Sequence, residues 1–178
     1  MVELKNDVLT IKVAEMGAEL QSVKDNNGRE YMWQAGEKWP RHSPILFPIV
    51  CSVNNDTYTV DGKEYHLPRH GFARDTMFTL VRQTPEKVTM ALHDSEETLK
   101  VYPYKFNLAI TYRLEANKIH VISNGIAVNQ LHRVITYDCA RRIGFGISVR
   151  GHRIRDDLIL QSCRRGAYPR LCLVMLQP

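Results

Sequence analysis

Residues 44–75 read PILFPIVCSVNNDTYTVDGKEYHLPRHGFARD and contain both the clearest hairpin signal and the most informative group of side chains in the chain. In the middle of this stretch, Asp61-Gly62 separates two runs of strand-forming residues, 57–60 and 63–66. A two-residue Asp-Gly turn favours a β-hairpin because its positive φ angles match the twist of the flanking strands. The turn predicts a register in which Tyr58 lies opposite Tyr65.

The end of the stretch, residues 69–75, combines an imidazole, two guanidinium groups and a carboxylate around a glycine. Glycine beside His70 allows a positive φ angle or a close approach of the backbone to a ligand. Arginine offers forked donors that suit hydroxyls, carboxylates and phosphates. We therefore predict a polar binding wall made of Arg69, His70, Arg74 and Asp75. The alternatives are a structural histidine and, for Arg69 and Arg74, a salt bridge with Asp75 or another acid of the loop.

The residues before this wall predict strands and one irregular segment. Residues 9–13 alternate apolar and polar side chains, and residues 18–22 do so again before the turn-forming residues 25–28. Residues 30–34 are interpreted as a third strand, rich in aromatic side chains. Residues 39–48 contain three prolines, so they predict a loop or edge that packs apolar residues against the core.

Antiparallel pairing is also predicted after the wall. Residues 78–82 and 88–92 predict a second hairpin. Residues 106–114 alternate apolar and polar side chains with a strict period of two, and residues 119–121 predict the strand that follows them. A helix-spaced apolar stripe of comparable length is absent from this sequence. The pattern therefore predicts an antiparallel all-β domain over residues 1–121.

Composition narrows the class of protein. A chain of 178 residues with 44% hydrophobic and 24% charged residues suits a single soluble domain, alone or with a fragment. No apolar run approaches the roughly 20 residues of a membrane span. The N-terminal sequence lacks signal-peptide features, so we expect a cytoplasmic protein without a membrane partner. The four cysteines lack metal-ligand spacing, and no metal site is expected.

Charge divides the chain into two parts. Residues 1–121 hold 15 Lys plus Arg and 16 Asp plus Glu, whereas residues 122–178 hold nine arginines and three aspartates. The second part also contains three of the four cysteines and has neither lysine nor glutamate. We therefore interpret residues 122–178 as an unmatched tail, with a frameshift or foreign segment near Ile122. Binding of nucleic acid by the tail is the weaker alternative, because aromatic residues are few and no nucleic-acid motif occurs.

Three motifs, residues 30–34, 39–50 and 69–75, together resemble the aldose 1-epimerase (galactose mutarotase-like) family, in particular its bacterial branch. The resemblance runs in order over about residues 3–121. It implies a large antiparallel β-sandwich, here incomplete, with a sugar site on its concave face. It also implies that His70, the histidine just before a glycine, lies in that site.

Mutarotation opens a cyclic sugar and recloses it on the other face, so it needs a general base and a general acid but no cofactor. The family's second histidine and its C-terminal glutamate have no matching positions, since the tail has no glutamate and His132 and His152 have other neighbours. We therefore predict an isomerase acting on a small-molecule aldose or hexose 6-phosphate, impaired by truncation and with little turnover. A non-catalytic carbohydrate-binding module and a non-functional truncated product are the alternatives. The sequence does not indicate an oligomeric state.

Overall fold

The computed structural model describes residues 1–127. This part of the chain contains nine β-strands and one short α-helix, apart from two single turns of 3-10 helix. In chain order these are β1 Val2–Lys5, β2 Leu9–Val13, β3 Leu20–Asp25, β4 Thr57–Val60, β5 Lys63–His66, β6 Thr79–Thr84, β7 Lys87–His93, α1 Glu96–Val101, β8 Phe106–Glu115 and β9 Lys118–Ala127.

The strands form three antiparallel groups. Strands β1, β2 and β3 make one sheet in that order, β4 and β5 form a separate hairpin, and β6 to β9 form a four-stranded meander. Every strand pair in these groups is antiparallel. The predicted all-β antiparallel architecture is therefore confirmed for the described residues.

Side chains from the three-stranded sheet and from the meander share one hydrophobic core. Strand β8 supplies its even-numbered residues to this core, from Phe106 to Leu114, and each is at most 3% exposed. Leu9, Ile11 and Val13 of β2 are fully buried in the same cluster. Burying one such side chain contributes about 1.5–3 kcal/mol. The Tyr112 hydroxyl donates to Ala18 O at 2.8 Å, which ties the meander to the turn before β3.

The β4–β5 hairpin has the predicted register. Tyr58 lies opposite Tyr65 and Thr59 opposite Glu64, with Asp61 and Gly62 both at positive φ in the turn. The two tyrosine rings pack with centroids 5.7 Å apart. The hydroxyl of Tyr58 donates to Val101 O at 2.7 Å, so the hairpin is attached to the end of α1.

The prediction of a strand over residues 30–34 is wrong. Backbone pairing there is limited to isolated contacts such as the Lys24–Glu30 bridge. The Glu30 carboxylate accepts the backbone N–H groups of Val23, Tyr31 and Met32 at 2.8, 3.1 and 3.0 Å. Tyr31 N–H also donates to Val23 O of β3 at 2.9 Å, but the Glu30 carboxylate takes the Val23 and Met32 N–H groups, so the segment does not continue as a strand.

Strand β9 continues past Val121 to Ala127. Most of the predicted tail, residues 128–178, lies outside the described residues, and the division of the chain near Ile122 stays a prediction. Among residues 1–127, no helix has the length and apolar character needed to cross a membrane.

Candidate functional site

The wall segment, residues 69–75, is attached to the loop that precedes it through Phe47 and Gly71. These two residues form a parallel bridge, and Phe47 O accepts the N–H groups of Phe72 and Ala73 at 3.0 and 3.2 Å. Gly71 has a φ of 70°, and a Cβ placed on it would lie 2.1 Å from Phe47 O. Gly71 therefore has the positive φ expected of it, and the backbone that approaches it closely is that of Phe47.

Aromatic packing anchors the same junction in the core. The Phe47 ring contacts Phe72 with centroids 6.0 Å apart, and Phe106 of β8 with centroids 5.0 Å apart. Tyr102, which follows α1, closes the cluster at 6.0 Å from Phe47. Phe47 and Phe106 are each 3% exposed, so the wall segment is attached through Phe72 to well-packed residues of the core.

His70 is held in one orientation by a reciprocal contact with Cys51. The backbone N–H of Cys51 donates to His70 Nδ1 at 2.9 Å, and the backbone N–H of His70 donates to Cys51 O at 2.8 Å. The φ of His70 is 69°, in the left-handed region that histidine adopts more readily than most residues. The ring is half-buried, and its Nε2 has no hydrogen-bond partner within residues 1–127.

Burial lowers the pKa of His70 from its usual 6.5, and the nearby charges of Arg69 and Arg74 lower it further. The imidazole is therefore neutral near pH 7. Since Nδ1 accepts the Cys51 N–H, the single ring proton of neutral His70 resides on Nε2. The wall thus presents a neutral N–H donor at a part-exposed position.

Asp75 forms ion pairs with two arginines at one end of the wall. Its Oδ1 accepts from Arg41 Nη2 at 2.8 Å, and its Oδ2 accepts from Arg74 Nε at 3.2 Å. Arg74 Nη2 also donates to Arg69 O at 2.9 Å, which ties the guanidinium back to the segment beside His70. The Arg74–Asp75 salt bridge offered as an alternative from the sequence is therefore present. It orients the Arg74 fork beside the His70 segment.

Arg41 is the residue that the sequence analysis missed. It lies in the proline-rich loop of residues 39–48, 34 positions before its partner Asp75. No periodic pattern or short motif connects such distant positions, so only the fold brings them together. The guanidinium of Arg69 is exposed and makes no ion pair within residues 1–127.

The wall has an excess of positive charge. Arg41 and Arg74 share the single carboxylate of Asp75, and Arg69 makes no ion pair within residues 1–127, so with a neutral His70 these residues carry a net charge of +2. Exposed ion pairs of this kind contribute little to stability, typically 0–1 kcal/mol. Their guanidinium groups remain suited to hydroxyl and anionic oxygens. Within the described residues, no group of three or more His, Cys, Asp or Glu side chains could hold a metal ion.

His42 and His66 make their contacts with residues other than His70. His42 lies against Glu19, with Nδ1 4.0 Å from Glu19 Oε2. His66 is exposed on the β4–β5 hairpin and contacts Thr57 Oγ1 through Nδ1 at 3.0 Å. His132 and His152 lie outside the described residues.

Comparison with known proteins gives consistent matches. The sequence model of the family described as aldose 1-epimerase matches residues 1–153, which extends past the predicted division near Ile122. Protein LacX (chromosomal) of Lactococcus lactis subsp. lactis is 39% identical over 124 residues, which cover 66% of this chain and 42% of that protein.

Two solved structures have the same fold over the described part. The galactose mutarotase related enzyme from Lactobacillus acidophilus is 42% identical with a TM-score of 0.69, covering 71% of this chain and 43% of that one. The galactose mutarotase-like protein from Lactobacillus casei ATCC 334 is 37% identical with a TM-score of 0.68, covering 70% and 43%. The chain therefore spans less than half the length of these relatives.

Proposed function

Because the chain belongs to the aldose 1-epimerase family, we propose that it binds an aldose or a hexose 6-phosphate and takes part in interconverting its α and β anomers. In this proposal the wall of Arg69, His70, Arg74 and Asp75 contacts the sugar, with Arg41 as a further member. His70 is the catalytic residue, and the reaction requires no cofactor.

The observation that carries this proposal is the fixed, neutral imidazole of His70. Its Nδ1 is occupied by the Cys51 N–H, so the proton on Nε2 is free for an oxygen of a bound ligand. Ring opening places developing charge on the ring oxygen and the anomeric oxygen, and a neutral N–H donor stabilises that charge. The ring is held by the Cys51 N–H at Nδ1 and its backbone by Cys51 O, so the side chain loses little freedom when a ligand binds.

The charge of the wall bears on the choice of sugar. A net charge of +2 around His70 favours a phosphorylated hexose over a neutral one, since guanidinium groups bind phosphate with paired, charge-assisted hydrogen bonds. A neutral aldose would use the same donors for its hydroxyls. We therefore propose tighter binding of glucose 6-phosphate than of glucose, with the difference shrinking as salt is raised.

A non-catalytic carbohydrate-binding module is the second candidate. It is favoured by the hydrogen bonding of His70, whose ring makes no hydrogen bond to a carboxylate or a second imidazole within residues 1–127. In this case the wall would bind sugar without accelerating the exchange of anomers.

Ligand-observed NMR with glucose, galactose and glucose 6-phosphate tests both candidates. His70→Asn is the informative variant, because the Asn Oδ1 can still accept the Cys51 N–H and asparagine tolerates positive φ, while the Nε2–H donor is lost. We expect sugar binding by the wild type that weakens by about tenfold in His70→Asn, the loss of roughly one charge-stabilising hydrogen bond.

Exchange spectroscopy on the same samples separates the two candidates. Faster interconversion of anomers in the wild type than in buffer supports the isomerase. Binding with no acceleration supports the binding module. Equal binding by wild type and His70→Asn would remove His70 from the site and contradict both candidates.

A further inference from the structure

Glu19 makes an unusual set of contacts just before β3. Its side chain is only 14% exposed, yet the ion pairs and hydrogen bonds within residues 1–127 give it no lysine or arginine partner. Instead, Oε1 accepts the backbone N–H of His42 at 3.1 Å, and Oε2 lies 4.0 Å from His42 Nδ1. A weaker contact at 3.4 Å comes from Gln21 Nε2. A mostly buried carboxylate loses hydration, so these donors must compensate it.

His42 lies between two residues that connect the loop to other parts of the protein. The residue before it, Arg41, reaches Asp75 in the wall at 2.8 Å. The residue after it, Ser43, donates from its hydroxyl to Leu20 O at 2.7 Å. Glu19 and Leu20 together therefore fasten the loop to the start of β3 directly behind the arginine.

The loop has few other restraints near Arg41. Residues 39–48 form no strand, and backbone pairing within this range is confined to the isolated Gly36–Trp39 and Phe47–Gly71 bridges. Prolines at positions 40, 44 and 48 remove donors that could have joined a ladder. Before Arg41, Trp33 Nε1 donates to Trp39 O at 2.9 Å. After Arg41, the backbone is held by the contacts of His42 with Glu19 and of Ser43 with Leu20.

We propose that Glu19 is a positioning residue that holds Arg41 in the sugar-binding wall by fixing the backbone of His42. The importance of this role for sugar binding rests on the proposed function, whereas the placement of Arg41 does not. Glu19 acts through the loop and does not touch the sugar. Without it, the backbone N–H of His42 loses its acceptor and the Arg41–Asp75 contact is broken for much of the time.

Side-chain ¹⁵N NMR of the arginines tests the placement directly in the full chain. The Arg41 signal, assigned with Arg41→Lys, should be shifted and protected from exchange in the wild type, and should collapse toward free arginine in Glu19→Ala. Glu19→Gln keeps an amide oxygen for the His42 N–H, so it should retain the wild-type signal. Gln21→Ala is the matched control, because it removes the other side chain on Glu19 and leaves the loop untouched.

If Glu19→Ala does not fold, Glu19→Asp replaces it, since the shorter side chain cannot reach the His42 N–H. An unchanged Arg41 signal in a folded Glu19→Ala or Glu19→Asp variant overturns the inference. Loss of the signal in Gln21→Ala as well as Glu19→Ala would also overturn it, because the effect would then be general loosening.

A double-mutant cycle connects the placement to ligand binding. With glucose 6-phosphate, we expect Glu19→Ala to weaken binding about fivefold in the wild type and to have no further effect in Arg41→Ala. Equal effects in both backgrounds would contradict action through Arg41. A wild type that binds no sugar contradicts the proposed function alone, because the Arg41 signal still reports on Glu19.

Discussion

At the residue scale, the site depends on backbone geometry that few side chains permit. Gly71 and His70 are consecutive residues with φ angles of 70° and 69°. This pair turns the chain beneath Phe47 and brings the His70 ring to Cys51. The glycine next to His70 could be recognised from the sequence as a position for positive φ. The carbonyl of Phe47, which leaves no room for a side chain at Gly71, could not be predicted, because it belongs to a loop 24 residues earlier.

Gly71→Ala should strongly destabilise the protein. The new Cβ would lie 2.1 Å from Phe47 O and 2.5 Å from Pro48 Cδ, at a φ of 70°. The matched control is Gly28→Ala, where φ is 80° and no atom lies within 4 Å of the new Cβ. We expect Gly28→Ala to cost about 1 kcal/mol from the backbone alone, and Gly71→Ala to cost several times more, in urea unfolding. An equal loss of unfolding free energy in the two variants would show that the close approach to Phe47 does not contribute to the effect.

The lowered pKa of His70 predicts a pH dependence of stability. Burial and two arginines disfavour the charged ring in the folded protein, so the unfolded chain takes up this proton at a higher pH. The His70 contribution to the free energy of unfolding should therefore fall as pH drops below about 6.5 and level off below the folded pKa.

Urea unfolding of wild type and His70→Asn across this range measures the effect. The difference in unfolding free energy between the two should be constant above about pH 7 and change in favour of His70→Asn below it. Parallel pH profiles would mean that the His70 ring is not held in its neutral form.

At the scale of elements, the sequence predicted strands whose pattern is local. The Asp61-Gly62 turn and the period of two in β8 depend only on neighbouring residues, and both elements have the predicted pairing or burial. The error at residues 30–34 arose because the Glu30 carboxylate replaces ladder acceptors. Helix α1 was missed because it has only six residues, although Ser95 followed by the acidic pair Glu96 and Glu97 is a recognisable helix start.

Tyr58→Phe should loosen the contact between the β4–β5 hairpin and α1. The lost hydrogen bond to Val101 O is expected to lower the free energy of unfolding by about 1 kcal/mol. Tyr65→Phe is the control in the same hairpin, since the Tyr65 hydroxyl has no hydrogen bond within residues 1–127. A Tyr65→Phe effect as large as that of Tyr58→Phe would contradict this assignment.

Tyr58 should also ionise late in an alkaline titration. Burial raises the pKa of Tyr58 to about 12, and the charges of neighbouring tyrosines contribute a smaller part of this increase. The folded protein therefore favours the protonated phenol, and this contribution to stability is lost as pH rises from about 10 towards 12. Spectrophotometric titration should show one fewer late-ionising tyrosine in Tyr58→Phe, and an unchanged titration curve would refute the assignment.

At the scale of the whole molecule, the resemblance seen in three sequence motifs is confirmed by the family match and by the shared fold. The wall segment also lies where the motif residues meet, with Arg41, Arg74 and Asp75 in direct contact. The sequence analysis could name Arg69, His70, Arg74 and Asp75 because they are contiguous. It could not name Arg41 or Glu19, whose contacts span 34 and 23 residues. The sugar-binding role of these residues and the division near Ile122 remain predictions.

The central claim is that the neutral Nε2–H of His70 contacts a bound sugar. Ligand-observed NMR of glucose 6-phosphate with wild type and His70→Asn tests it most directly. The account predicts binding by the wild type, and binding weakened by about tenfold in a His70→Asn variant of unchanged fold. Equal binding by the two proteins, or no sugar binding by the wild type, would contradict it.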